Sequence, residues 1–358
     1  MKRVGVIFGG QSVEHEVSVQ SAKNIYSSLE KDLYPYLLIG ITKSGSWHYI
    51  NQEALEKCYE SGEFFALDDH IEVLERPVDL GNLDIDIAFP IVHGAIGEDG
   101  CMQGLFKCLN VPFVGPSVID AAVCMDKEVC KRLLEYEDIL VARFFVYHDL
   151  LEVDLEKIED SFGYPVFIKP SNSGSSLGIN KAKNREELAL FVKEAFCYDH
   201  KIIVEEAIDA REFECSVMGY KDPIVSLPGE VIPTHEFYSY EAKYLDNDGA
   251  RFKVPAPLDQ EVTESIQEIA LKAYKALCCT GMARVDFLIS RQGRIYLNEV
   301  NTVPGFTKIS LFPKLWELSN ISYSGVLSKL IQYGFERHDH DNLLKKNIDR
   351  RVFELQTS

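Results

Sequence analysis

Hydrophobic and polar positions divide the chain into two textures. Over the first third, short apolar runs alternate with helical periodicity. Lys2–Phe8 leads into Gly9-Gly10, and a helical pattern follows to about Glu30. Apolar runs recur at Tyr36–Thr42, Asp86–Val92 and Val111–Val114, with a helical stretch near Asp99–Leu109. Strands alternating with helices in this way predict an open parallel sheet with flanking helices, so the fold class is α/β here. Ser117–Met125 and Asp126–Tyr136 read as helices leading to a second domain.

From about Val141 the pattern changes. Tyr164–Lys169, Ile202–Glu205 and Glu212–Met218 read as strands, with one helix, Arg185–Phe196, between them. Residues 229–257 are polar, rich in Tyr and Asp and aperiodic, which predicts a functional loop such as a lid. Val262, Ile266, Ile269, Ala273 and Leu277 fall at helical spacing. Strands Met282–Ile289 and Arg294–Asn301 are joined at Gln292-Gly293, and final helices cover roughly Leu311–Tyr333. The polar stretch after His338 reads as a solvated tail, and no internal repeat is visible.

Composition narrows the class without naming it. The 358 residues predict two or three domains at about 150 each. A net charge of −19 disfavours generic binding to nucleic acid or anionic lipid, while a small anion in a locally basic cleft stays open. No apolar run approaches the ~20 residues of a membrane span, and the N-terminus reads as a strand rather than a signal peptide. Nine cysteines with no CxxC pair predict a reduced, cytoplasmic protein, neither a disulfide scaffold nor a zinc site.

The last strand pair is the most informative element. Period-two alternation puts Arg284 and Asp286 on one face of the first strand, and Glu299 and Asn301 on one face of the second. Carboxylates and an amide oxygen are hard ligands that suit Mg²⁺ bridging phosphates, and a guanidinium suits developing negative charge. A plain Arg284–Glu299 salt bridge is the simpler structural alternative. In the turn that follows, Gly305 lets backbone N–H groups approach a ligand; Ser310 and Leu311 then open a helix, a natural carboxylate site. The alternative there is Ser310 as an ordinary N-cap.

Lys169 ends a buried strand and opens into the Gly/Ser run Ser171–Gly178, an arrangement that cradles phosphates. Gly9-Gly10 is followed by Glu14, able to hold an ammonium group or merely to complement a helix dipole. His93 follows another strand and reads as a residue acting from behind the site. The dinucleotide fingerprint is missing. The His338–Asp341 run reads as solvated rather than metal-binding.

Taken in order, these segments resemble the D-alanine–D-alanine ligase family of the ATP-grasp superfamily. The matching motifs are Gly9-Gly10 with Ser12 and Glu14; His93-Gly94 with Gly97-Glu98-Asp99-Gly100; and Met125-Asp126-Lys127. Lys169-Pro170-Ser171 with Gly174-Ser175-Ser176, and Glu241-Ala242-Lys243-Tyr244, follow. Arg284-Val285-Asp286 and Asn298-Glu299-Val300-Asn301-Thr302 with Pro304-Gly305 complete a set spanning about Arg3 to Phe335.

The resemblance implies an N-terminal α/β substrate-binding domain over 1–125 and a two-subdomain ATP-grasp fold, α+β in part, over 126–218 and 219–358. The second subdomain would carry the lid at about 229–257 and the polar tail. ATP would meet Lys127, Lys169 and Lys243 at its phosphates, with Ser175 in the same loop. Glu205 and the main chain of Glu206 and Ile208 would meet the adenine, and Glu212 the ribose. Asp286, Glu299 and Asn301 would hold two Mg²⁺ ions, with Mn²⁺ as a substitute.

The implied reaction joins two D-alanines through an acylphosphate, for peptidoglycan precursors. Glu14 would fix the first ammonium with His93 behind it, Ser310 and the Leu311 amide the second carboxylate, and Arg284 with the Gly305 amide the oxyanion. Glu14, Ser175 and Tyr244 would link the lid to the site. The lid tyrosine fits the dipeptide-forming branch and argues against a D-lactate acceptor; D-Ala–D-Ser ligases share it, so D-serine remains the alternative acceptor. A non-catalytic nucleotide-binding relative is disfavoured, because the charged set is complete. A cytoplasmic homodimer, acting on D-alanine and ATP without nucleic acid or membrane, completes the expectation.

Overall fold

The computed structural model describes residues 1–60, 65–175, 177–233 and 250–344. The first sheet comprises β1 (Val4–Gly9), β2 (Tyr36–Ile41), β3 (Trp47–Ile50), β4 (Leu74–Pro77) and β5 (Ile87–Pro90), in the order β4-β3-β2-β1-β5. Strand β1 is parallel to β2 and β5, as alternation predicts. Every residue of β1 is buried, as expected of a central strand covered on both faces. Strands β3 and β4 add an antiparallel edge that the sequence pattern did not reveal. Helices α1 (His15–Ser28), α2 (Gln52–Glu60) and α3 (Cys101–Cys108) belong to this sheet's segment of the chain. The run Val111–Val114 does not form a strand. It makes one isolated parallel bridge, Ala88 to Phe113, and Pro112 has no N–H with which to extend the ladder.

Helices α4 (Val118–Met125) and α5 (Lys127–Tyr136) lead to a four-stranded antiparallel sheet. Its strands are β6 (Phe144–Tyr147), β7 (Val166–Pro170), β8 (Asn180–Ala182) and β9 (Ile202–Glu206), ordered β6-β9-β7-β8. Two helices cover it, the expected α7 (Arg185–Ala195) and an additional α6 (Leu155–Phe162). The third sheet is antiparallel and ordered β13-β12-β10-β14-β15, with β11 (Ile224–Val225) paired to β10. It is built from β10 (Ala210–Gly219), β12 (Gly229–Pro233), β13 (Ala250–Lys253), β14 (Gly281–Ser290) and β15 (Ile295–Asn301). Helix α8 (Gln260–Ala276) lays Ile266, Ala270 and Ala273 against Val285 and Phe287 of β14, each buried Ile or Phe contributing about 1.5–3 kcal/mol. That packing turns the opposite face of β14 away from the core.

Two further sequence expectations need correction. The aperiodic stretch 229–257 is not loop throughout: its ends are β12 and β13, paired from Glu230↔Lys253 to Pro233↔Ala250. Residues 234–249 lie outside the described residues. The solvated tail does not start at His338 either. After α9 (Leu311–Leu318), α10 runs from Tyr323 to Leu343. Arg337 near its end donates to the carbonyls of Phe113 and Gly115 and to Thr280 Oγ1, and Tyr220 Oη lies 2.7 Å from His340 Nδ1. Those tertiary bonds carry a helix end whose own composition is polar. None of the nine cysteines is in a disulfide.

Candidate active site

A cavity of about 320 Å³ is lined from all three sheets, by Glu14, Lys127, Lys169, Glu212, Arg284 and Asp286 among others. Its floor is the exposed face of β10, β14 and β15. The register sets Arg284 opposite Asn301 and Asp286 opposite Glu299, as period-two alternation requires. A bulge follows, because Phe287 pairs with Leu297 and leaves Asn298 over; bulges of this kind re-aim side chains near sites. On the other side, β10 sets Ser216 opposite Arg284 and Glu214 opposite Asp286.

Arg284 Nε and Nη2 donate to both carboxylate oxygens of Asp286, at 2.7 and 2.6 Å. Glu214 lies 3.3 Å and Glu299 3.6 Å from the same guanidinium. The plain Arg284–Glu299 bridge is therefore the weakest of three contacts. Burial opposes the charge on Arg284, yet Asp286, Glu214 and Glu299 hold its pKa well above the ordinary value. For Asp286, burial raises the pKa and Arg284 lowers it, while Glu214 and Glu299 raise it again, leaving it well above the carboxylate range. Three carboxylates around one guanidinium leave net negative charge, and the donors are hard oxygens. That set fits divalent cations of the Mg²⁺ class.

Above this floor stand the lysines. Lys169, near the end of β7, lies 2.5 Å from Glu205 Oε2, and Lys131 lies 2.8 Å from Oε1. Burial raises the pKa of Glu205, but the two lysines more than offset it and bring it to about 2. One unit of positive charge is left on this cluster. Lys127 opens α5 and donates its ammonium to the Ser173 carbonyl. Burial lowers its pKa, Glu299 opposes that shift and Lys169 adds to it. Its position is fixed by Asp126, which caps α5 through Val129 N (3.2 Å) and accepts from Ser171 Oγ (2.9 Å) and Lys201 (2.6 Å). The Gly/Ser loop is thereby joined to the first turn of α5. Glu206 accepts from Arg143 Nε at 2.8 Å, and Glu206 and Ile208 line the cavity.

The third wall comes from the first sheet. Glu14 sits just before α1, where its side chain makes no capping bond, and is 6% exposed. Its carboxylate accepts from Ser175 Oγ, across 161 residues of sequence. Glu14 thus stands both at the N-terminus of α1 and at the cavity wall. Gly94, at φ +78, packs so closely that a Cβ there would lie 2.6 Å from Ser12 Oγ and 2.8 Å from Glu14 Oε2. His93 is 4% exposed, its Nδ1 3.1 Å from the Val303 carbonyl and its Nε2 3.3 Å from Ser21 Oγ. Burial pulls its pKa down, but Glu98 and Glu14 outweigh burial and raise it. It ties α1 to the turn after β15.

That turn carries Gly305, where a Cβ would lie 2.7 Å from Ser310 Oγ. Ser310 occupies the N-cap position of α9 without capping it; its hydroxyl accepts from Thr307 N at 3.0 Å and lies 2.8 Å from Thr307 Oγ1. The N-cap alternative thus holds in position only. Gly305, Ser310 and Leu311 all line the cavity. Lys243 and Tyr244, with the rest of the lid motif, lie outside the described residues.

Sequence reading missed Glu214 and Lys131 as members of this constellation, and gave Glu98, quoted within the His93–Gly100 motif, no role. Glu214 had a signal, two residues beyond Glu212 on one strand and so on the same face. Lys131 had one too, four residues beyond Lys127 on α5.

Two family profiles match the chain, one described as D-ala D-ala ligase N-terminus over residues 3–116 and one as D-ala D-ala ligase C-terminus over residues 134–332. The D-alanine–D-alanine ligase of Shouchella clausii is 47% identical, covering 97% of this chain and 98% of its own. D-alanine–D-alanine ligase A of Escherichia coli K12 is 41% identical, over 97% and 99%. Among solved structures, the VanG D-Ala:D-Ser ligase from Enterococcus faecalis superposes with a TM-score of 0.83 at 35% identity, over 93% of this chain and 99% of that one. The D-alanine–D-alanine ligase from Coxiella burnetii gives 0.82 at 34%, over 99% and 100%.

Proposed function

The chain belongs to the D-alanine–D-alanine ligase family, whose members are ATP-dependent, ADP-forming ligases, and from that premise we propose that it joins two D-alanines through an acylphosphate to supply peptidoglycan precursors. The observation that carries this reading is the face-to-face arrangement of the Arg284–Asp286–Glu214–Glu299–Asn301 floor, the Lys127–Lys169 pair and Glu14 around one cavity.

In this reading ATP lies between the second and third sheets. Lys127, Lys169 and Lys243 meet its phosphates, with Ser175 in the adjoining loop. Glu205 and the main chain of Glu206 and Ile208 border the adenine, and Glu212 takes the ribose. Asp286, Glu299 and Asn301 would hold two Mg²⁺ ions, for which Mn²⁺ could substitute, and the ions would supply neutralisation of phosphate charge. The ion pair of Lys169 with Glu205 holds the ammonium beside the phosphate path.

A carboxylate is a poor electrophile, so the first D-alanine needs activation. One of its carboxylate oxygens attacks the γ-phosphorus, the bond to the ADP oxygen breaks, and an acylphosphate results. Glu14 holds the ammonium of this alanine, with His93 bracing the loop behind it. The second alanine seats its carboxylate on Ser310 and the Leu311 N–H, and its amine attacks the acyl carbon. Arg284 and the Gly305 N–H receive the oxyanion. Phosphate leaves, and the dipeptide remains. The segment carrying Tyr244 closes over the site and keeps water from the acylphosphate. A cytoplasmic homodimer formed through the first domain belongs to the same proposal. Among the described residues no helix is long and apolar enough to cross a membrane.

Isotope transfer tests the chemistry. With D-alanine carrying ¹⁸O in its carboxylate, the released phosphate should gain one labelled oxygen, because the carboxylate oxygen that attacks phosphorus departs with it. Unlabelled phosphate alongside dipeptide would rule out the acylphosphate. The similarity to a D-Ala:D-Ser ligase favours one second reading, D-serine as acceptor, which turnover with the two acceptors in competition decides.

A further inference from the structure

Away from the cavity, three side chains of different metal-ligating type converge. Cys58 lies on α2, His70 lies between two short 3₁₀ turns, Leu67–Asp69 and Ile71–Val73, that precede β4, and Glu72 lies in the second of them. One ligand atom from each lies within 4.8 Å of the other two, and His70 Nδ1 stands 3.3 Å from Glu72 Oε1. The cysteine spacing gave no hint of this, because the ligands come from two segments that only folding brings together.

The convergence is held by buried anchors rather than by the three groups themselves. Leu55 and Tyr59 fix α2 against the core, and Leu67 and Val73 fix the two turns on either side of His70 and Glu72. The His70 ring packs edge-on to Phe65 at 5.1 Å, and Phe65 edge-on to Tyr59 at 5.2 Å, which sets the imidazole plane. Buried contacts thus anchor both α2 and the turns that carry the three groups. In a tetrahedral site with metal–sulfur and metal–nitrogen bonds of about 2.3 and 2.0 Å, ligand atoms stand roughly 3.5 Å apart. The His70–Glu72 separation already matches that, and Cys58 reaches it by a side-chain adjustment.

We propose that Cys58, His70 and Glu72 form a second metal site, for a thiophilic divalent cation of the Zn²⁺ class, separate from the active-site carboxylates. Thiolate, imidazole and carboxylate are a mixed sulfur, nitrogen and oxygen set that suits tetrahedral Zn²⁺ with water as fourth ligand; Mg²⁺ demands octahedral oxygen. Ligation releases the thiol proton to solvent. The site also has a mechanical reach. Leu67 N in the first turn donates to His15 Nε2 at 3.0 Å, and His15 Nδ1 lies 2.8 Å from the Gly10 carbonyl, next to the loop carrying Glu14. Metal at Cys58 stiffens that strap.

Titration of the full-length, tag-free, metal-depleted chain with Co²⁺ alone tests this. The expected result is a thiolate-to-cobalt charge-transfer band in the near ultraviolet, abolished by Zn²⁺ and unaffected by excess Mg²⁺. Cys58→Ser and His70→Ala should each remove the band, and Zn²⁺ should raise the Tm of the wild-type chain but of neither variant. Either variant alone suffices if the other fails to fold. Absence of the band from the wild-type chain would overturn the proposal. So would a band that persists in Cys58→Ser, which would then belong to the exposed Cys101, Cys108, Cys197 or Cys278.

Discussion

At the scale of single residues, Arg284 faces more negative charge than it can balance, and that imbalance makes the floor of the cavity testable. If Asp286 and Glu299 hold the metal, Asp286→Asn and Glu299→Gln should each lower dipeptide formation at least about 100-fold, since metal coordination supplies several kcal/mol of charge stabilisation. Glu214→Gln, which removes a carboxylate with no assigned metal, should cost less than either. Near-normal turnover in Asp286→Asn and Glu299→Gln would contradict the metal assignment. Arg284→Ala should lower ligation by about 10²–10³-fold while leaving ATP affinity within a few-fold, measured by nucleotide titration beside product formation. Equal losses in both would argue against an oxyanion role. Much of this floor was legible from strand alternation, because four of its groups sit at i and i+2 on two consecutive strands. Glu214 shares a face with Glu212 by the same alternation, but its place beside Arg284 was not legible, because the β10–β14 pairing joins segments about 70 residues apart in sequence.

At the scale of elements, pairs of side chains hold one element to another, and their loss should read as stability. Arg337 joins α10 to the carbonyls of Phe113 and Gly115 and to Thr280. Arg337→Ala leaves those buried acceptors, and the buried Asp120 nearby, without their cation, and should cost about 3 kcal/mol in urea unfolding. A cost below about 1 kcal/mol would mean that the helix end is held otherwise. Glu205 fastens β9 to α5 and β7 through Lys131 and Lys169. Its folded pKa near 2 lies below the ordinary 4.5, so its contribution is full above pH 4.5 and is lost as pH falls towards 2. The stability gap between wild type and Glu205→Gln should therefore narrow on acidification through that window; a constant gap would contradict the ion-pair account. The sequence showed Lys169 and Glu205 but not their union, which depends on the antiparallel β7–β9 register. It likewise ended the ordered chain too early, because polar composition near His338 says nothing of bonds made to Phe113 and Tyr220.

At the scale of the whole molecule, three sheets each bring one kind of group to a common space. The first brings an acid on a glycine-bounded loop, the second, with α5 beside it, a lysine pair, and the third carboxylates around an arginine. The alternating texture of the first third and the strand pair near the end made two of these walls legible. The antiparallel edge β3–β4 and helix α6 were not, being only four, four and eight residues long. The meeting of the walls followed from ordered motifs resembling a known family, not from periodicity, since nothing local links Glu14 to Ser175. The measurement that tests the function most directly is product identification by mass after incubating the chain with MgATP and D-alanine, with L-alanine, D-serine and D-lactate as alternatives. D-Alanyl-D-alanine with stoichiometric ADP and phosphate from D-alanine alone, and no product from L-alanine, is the expected result. A mixed product dominating whenever D-serine or D-lactate is present, or ATP bound without release of phosphate under any pairing, would contradict it.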